Sequence, residues 1–126
     1  MPPVKHAIAK PSFVRNDSRG VFREILNGQA WKAVNVGEMR KGAVLGNHYH
    51  TGSRLFFFML EGRTRIATLH AKSNERDEME LGPFEGVYLE PYESHAITFL
   101  TDGKFMLLKS EPFDPKNPDI HPLKVE

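Results

Sequence analysis

Residues 42–62 read Gly42-Ala43-Val44-Leu45-Gly46-Asn47-His48-Tyr49-His50-Thr51-Gly52-Ser53-Arg54-Leu55-Phe56-Phe57-Phe58-Met59-Leu60-Glu61-Gly62. The turn residues Thr51-Gly52-Ser53 divide this stretch into two short segments, Ala43–His50 and Leu55–Glu61. The run Leu55–Leu60 is apolar throughout and reads as a strand buried on both faces. It falls far short of the roughly 20 residues that a spanning helix needs. On a strand, residues i and i+2 share a face about 6.5–7 Å apart, so His48 and His50 point the same way and Tyr49 the other. Two imidazoles so placed can converge on one metal ion or one substrate. Alone, such a pair is also a common surface feature at a strand end.

The same punctuation continues outward. Turn signals recur at Asn16–Gly20, Asn27-Gly28, Lys41-Gly42, Glu61-Gly62, Lys72–Glu78, Gly82–Gly86, Glu90–Ser94 and Thr101–Gly103. A spacing of about 8 to 13 residues is the interval of an all-β sandwich or barrel. Strands are predicted over Trp31–Met39, Arg63–Leu69, Gly86–Leu89, His95–Leu100 and Phe105–Lys109, besides the two above. Val21–Val36 is the best helical candidate, with Phe22, Ile25 and Leu26 on one face. Asn27-Gly28 interrupts it, and two strands are the preferred reading. Nine or ten short strands in one domain over 1–126 imply a double-sheet jelly roll or small barrel. From Glu111 onward, Pro112, Pro115, Pro118 and Pro122 exclude a central strand, and 111–126 reads as an extended arm along the outside.

Composition narrows the function classes. With 17 Lys plus Arg against 16 Asp plus Glu, the net charge is +1, which gives no electrostatic reason for a nucleic-acid or anionic-membrane partner. The absence of cysteine excludes disulfides, thiolate metal sites and a cysteine nucleophile. Met1–Lys10 has two prolines and no apolar run, unlike a secretion signal, and cytoplasm is the expected compartment. His6 and His121 lie in terminal segments and His70 beside a polar loop, so all three read as solvated. Trp31, Phe56–Phe58, Phe99 and Phe105 read as core.

The spacing Gly42, five residues, His48-x-His50, then six residues from Leu55 to Gly62 resembles the first motif of the cupin superfamily. Gly86, Pro91 and His95 resemble the second. The resemblance implies a small jelly-roll β-barrel in which His48, His50 and His95 converge. Leu55 stands where the family's glutamate ligand falls, so a three-histidine site is implied. Within cupins the chain is similar to the branch that modifies nucleotide-linked sugars: dTDP-sugar 3,5-epimerases, 3,4-ketoisomerases and capsular-polysaccharide proteins with a C-terminal cupin. Asp17–Glu24 looks like the stretch near the start of the first two, which makes Arg19 and Glu24 candidate substrate-binding residues. Gly46–His50 resembles the core of the ketoisomerases and capsular cupins. The ketoisomerase tyrosine and arginine align near Asn35 and Leu45, which cannot replace them. Tyr88 and Tyr92 flank the second motif, and Tyr88 is the candidate substrate contact.

Three functions remain open from the sequence. One is an isomerase or epimerase of a nucleotide-linked keto sugar, with His48 as base and His50 orienting it, since imidazole titrates near neutral pH. A second is a metal cupin holding one divalent ion (Zn, Ni, Fe or Mn) on His48, His50 and His95, with Glu90 or Glu93 as a possible fourth ligand, and able to activate water or dioxygen. A third is a carbohydrate-binding or regulatory domain without chemistry. The preferred reading places the metal first and sugar-nucleotide chemistry as its context. A homodimer is expected from the resemblance.

Overall fold

Alternating residues of the central strands build two sheets that share one interior. The computed structural model describes residues 6–28 and 30–126; residues 1–5, half of the segment read as lacking a secretion signal, lie outside that range. Eleven strands follow in chain order: β1 (Phe13–Asp17), β2 (Gly20–Glu24), β3 (Ala33–Met39), β4 (Val44–Tyr49), β5 (Leu55–Glu61), β6 (Thr64–His70), β7 (Arg76–Leu81), β8 (Gly86–Leu89), β9 (Glu93–Phe99), β10 (Gly103–Lys109) and β11 (His121–Pro122). No helix occurs among the described residues, and the Val21–Val36 ambiguity resolves as β2, a loop and β3. β3-β10-β5-β8 form one antiparallel sheet and β11-β4-β9-β6-β7 the other. The fold is an all-β jelly roll of the cupin type.

Leu55, Phe57, Met59, Val87, Leu89 and Phe105 of the first sheet meet Ile66, Met79, Leu81, Ile97 and Phe99 of the second. This interior excludes Leu55, Phe57 and Met59 of β5 from water, the last two completely. Each such side chain contributes about 1.5–3 kcal/mol. β5 is buried on its other face too, because Phe56 and Phe58 pack under Ile25, Leu26, Trp31 and Tyr88 outside the first sheet. Outside the second sheet, Ala67, Leu69 and Ala96 lie under Leu123 and Val125 of the C-terminal arm. The arm is stitched on as β11, an edge strand against β4, where Pro122 needs no ladder donor.

Two sequence expectations change. β7 lies partly within the stretch read as the polar Lys72–Glu78 loop. It is a strand because Met79 and Leu81 reach the interior while Arg76, Glu78 and Glu80 face solvent. His6 is not solvated: its ring Nδ1 lies 2.6 Å from Asp77 and its Nε2 2.7 Å from Glu93, with the side chain 8% exposed. These bonds, Glu93 foremost, raise its pKa, and they pin the N-terminal segment that bridges to β8 through Ala9 and Gly86.

Candidate functional site

The site begins with a fault in β4. Leu45 packs into the interior, so simple alternation would send Asn47 and Tyr49 inward and the two histidines out. A bulge between Gly46 and His48 reverses this parity. Gly46 and Asn47 adopt φ of 105° and 58°, a region that glycine and asparagine enter most readily. A Cβ on Gly46 would lie 2.2 Å from the carbonyl oxygen of His95, so this approach of β4 to β9 requires glycine. Beyond the bulge His48 pairs directly with His95, and Tyr49 turns outward to stack on Tyr92 and His121.

His48, His50 and His95 converge at one end of the barrel. Their ring centroids are 5.1 Å (48–50), 5.0 Å (48–95) and 5.9 Å (50–95) apart. One nitrogen from each lies within 4.8 Å of the others, against about 3.5 Å between two ligands of a tetrahedral zinc. His50 Nδ1 lies 2.6 Å from the Asp119 carbonyl and His95 Nδ1 3.3 Å from that of Glu93. A carbonyl only accepts, so Nδ1 carries the proton in both rings and Nε2 keeps its lone pair. Burial lowers the pKa of all three. It brings His95, which is also beside His48, down to about 4. Three neutral imidazoles with convergent lone pairs are a donor set that fits a borderline divalent cation.

Asp119 organises the approach to the trio. Its carboxylate accepts from the Thr51 and Gly52 amides, the Thr51 hydroxyl and the His121 ring, at 2.7–3.0 Å. Burial opposes its ionisation, but these bonds outweigh it and hold the carboxyl well below the usual range. The arm thereby fixes the loop after His50 while its backbone orients the ring.

The remaining sequence candidates lie elsewhere. Leu55 faces inward, buried at the family's glutamate position. Glu90 turns out to Arg54 at 2.7 Å and Glu93 is bound to His6, so neither supplies a fourth ligand. Tyr88 alternates with the buried Val87 and Leu89, and so faces outward between Phe56 and Trp31, under the Arg54 guanidinium. Arg19 sits on the exposed β1–β2 hairpin and pairs with Asp17 at 2.7 Å, not with Glu24. Glu24 accepts from Ser12 at 3.0 Å. The hairpin forms its own two-stranded sheet, which sets Arg19 and Glu24 apart from the trio, and Tyr88 lies on the outer face of the first sheet.

One residue that sequence reasoning missed belongs to the site. Lys109 continues the inward series Phe105, Leu107 on β10 and pairs with Leu55. Its charge helps to suppress protonation of His48 and His50.

Residues 15–121 match the family described as the polysaccharide biosynthesis C-terminal domain. The chain belongs to that family. Among solved structures, this polysaccharide-biosynthesis cupin is similar to CapF of Staphylococcus aureus, a capsular polysaccharide assembling protein. The two share 28% identity at a TM-score of 0.71, over 93% of this chain and 34% of that one. The chain thus spans about a third of CapF's length. It shares its fold with dTDP-4-dehydrorhamnose 3,5-epimerase from Sulfolobus tokodaii, at 21% identity and a TM-score of 0.77 over 89% of this chain and 74% of that one. It likewise shares it with ChmJ, a 3'-monoepimerase from Streptomyces bikiniensis in complex with dTDP-quinovose, at 20% identity and 0.80 over 97% and 72%. No curated protein matches the chain.

Proposed function

We propose that this chain is a metal-binding cupin that acts on a nucleotide-linked keto sugar as an isomerase or epimerase. The observation that carries the reading is the trio itself. One nitrogen from each of the three imidazoles lies within 4.8 Å of the others, burial holds the rings neutral, and at least two present an unprotonated Nε2. His48, His50 and His95 would hold one divalent ion. When bound, the ion supplies a positive charge that polarises a carbonyl or acidifies a water. The protein's own contribution is a fixed tautomer for His50 and His95, each held by a backbone carbonyl at Nδ1. In the absence of the ion, His48, the partner nearest solvent, is the base that removes a proton beside the ketone. The likeness to sugar-nucleotide epimerases and CapF supports the substrate class.

A second reading, a carbohydrate-binding domain without chemistry, is favoured by the tyrosines. Tyr49, Tyr88 and Tyr92 all stack on partners away from the trio, which leaves this subunit no phenol as a general acid. Metal analysis of untagged wild type and His50→Ala tests the metal. About one ion per chain in the first and little in the second is expected, and equal content in both refutes it. Deuterium wash-in from D2O to a dTDP-4-keto-6-deoxy sugar tests the chemistry, and binding without exchange selects the second reading.

We also propose a homodimer. Phe13, Val14, Val21 and Phe22 are exposed on a hairpin that no sheet covers, and Val34 and Val36 are exposed on the edge strand β3. A lone hairpin is marginal in water and an apolar edge invites pairing.

A further inference from the structure

We infer that segment 6–9 is a pH-operated strap: it forms one wall of a cavity beside β8, is fastened by the His6 imidazolium, and is released when that ring loses a proton. The inference is independent of any ion and of any reaction at the trio.

The first support is a valence count. His6 Nδ1 lies 2.6 Å from an Asp77 carboxylate oxygen and its Nε2 2.7 Å from a Glu93 one. A carboxylate only accepts, and a neutral imidazole has one N–H and one lone pair. Only the doubly protonated ring satisfies both contacts, and the neutral ring sets a lone pair against an anion at one of them. The side chain is 8% exposed, so little water is at hand to screen that repulsion. Burial opposes the ionisation of Asp77 and Glu93, but their hydrogen bonds, those to His6 foremost, outweigh it and hold both carboxyls below the usual range. The bond to Glu93 foremost raises the pKa of His6 against the cost of burial. The strap is therefore fastened below that raised value and released as pH rises through it. Two other titratable groups stand here. His70 on β6 accepts the Lys72 and Ser73 amides at Nδ1, both at 3.2 Å, and Glu90 is held by Arg54 at 2.7 Å.

The second support is the course of the segment. Its His6 end is tied to β7 and β9 of the second sheet by the ring, and to Asp77 again by the His6 amide at 3.1 Å. Its other end exchanges two backbone bonds with β8 of the first sheet, Ala9 N–H to Gly86 at 2.7 Å and Gly86 N–H to Ala9 at 2.9 Å. β7 and β8 are the edge strands of their sheets, so the strap joins one free edge to the other. Ile8 between the two fastenings is 40% exposed, which leaves His6 as the buried anchor. The third support is the space behind it. A cavity of about 410 Å³ is lined by His6 and Ala7 together with His70, Val87, Tyr88 and Glu93. That volume suits a small molecule, and release of the strap removes the wall that His6 and Ala7 supply.

The test is amide exchange by NMR on the full chain with chelator, at pH 6 and pH 8.5, read as protection relative to the intrinsic rate at each pH. Protection at Ala9 and Gly86 should fall severalfold at the higher pH in wild type. Ile97, in the middle of the second sheet, should stay strongly protected in every sample, which shows that the barrel is intact. His6→Gln should give low strap protection at both pH values. Glu93→Gln should give high protection at both, because its amide can donate to the ring's lone pair while its oxygen keeps the bond from the Glu90 amide, 2.8 Å away in the wild type. A neutral soluble nitroxide should broaden the Val87 methyl signals more at pH 8.5 than at pH 6 in wild type, and equally at the two in Glu93→Gln. Strap protection that ignores pH in wild type, that survives in His6→Gln, or that keeps its pH response in Glu93→Gln overturns the inference. So does a strap that is released while Val87 stays shielded from the nitroxide, since the strap is then no wall of that cavity.

Discussion

Acid should unfold the metal-free chain through His95. The ring is 4% exposed, and burial, then the neighbouring His48, brings its pKa down to about 4 from 6.5. A histidine depressed in the fold is neutral there and charged in the unfolded chain. Between pH 6.5 and 4 the unfolded state therefore binds more protons, and stability falls as pH falls. The shift is worth about 3 kcal/mol in full, of which about 2 kcal/mol is lost by pH 5. His48 and His50 are shifted the same way and steepen the slope. His6 acts in the opposite sense: its raised pKa adds stability below 6.5 that disappears as pH rises through its folded value. The assay is urea unfolding of wild type and His95→Gln at pH 7.5, 6 and 5, each with chelator. Wild type should lose about 2 kcal/mol more than the variant over that range. Parallel profiles would mean that His95 is not buried neutral, and would remove the electrostatic basis for a preformed trio.

Gly46→Ala should destabilise by about 3 kcal/mol or more, from the positive φ and the contact with the His95 carbonyl; thermal unfolding measures it, and an unchanged melt refutes the close approach. Asp119→Ala removes the carboxylate that ties down Thr51 and Gly52, and should weaken metal affinity about 10–100-fold with the fold retained; zinc titration by calorimetry checks it. Light scattering should report a dimer at micromolar concentration in wild type and a monomer in Val36→Asp, since that charge falls on the exposed edge strand.

The sequence carried the parity of the histidines but not the face they would take. His48 and His50 share a side at any strand position, yet whether that side is the interior depends on the bulge at Gly46-Asn47. That dipeptide is also an ordinary turn signal. The outward direction of Tyr88 is legible from its neighbours: Val87 and Leu89 are the apolar residues of the interior, which sends Tyr88 to the other face. Lys109 was legible in the same way from Phe105 and Leu107. β7 escaped because only Met79 and Leu81 of its six residues face the core, so composition outweighed alternation. The His6 clamp could not be read at all, since its partner Asp77 lies 71 residues away.

Leu55 ties these observations into one argument about chemistry. In place of a carboxylate, the interior position opposite Lys109 holds an apolar side chain. A glutamate there would neutralise the ammonium across the strand pair. Without it the trio keeps three neutral imidazoles and no anionic ligand at position 55. Such a site binds a metal less tightly, by one anionic ligand. Leu55→Glu should raise zinc affinity in a calorimetric titration, and an unchanged affinity would show that position 55 does not reach the trio.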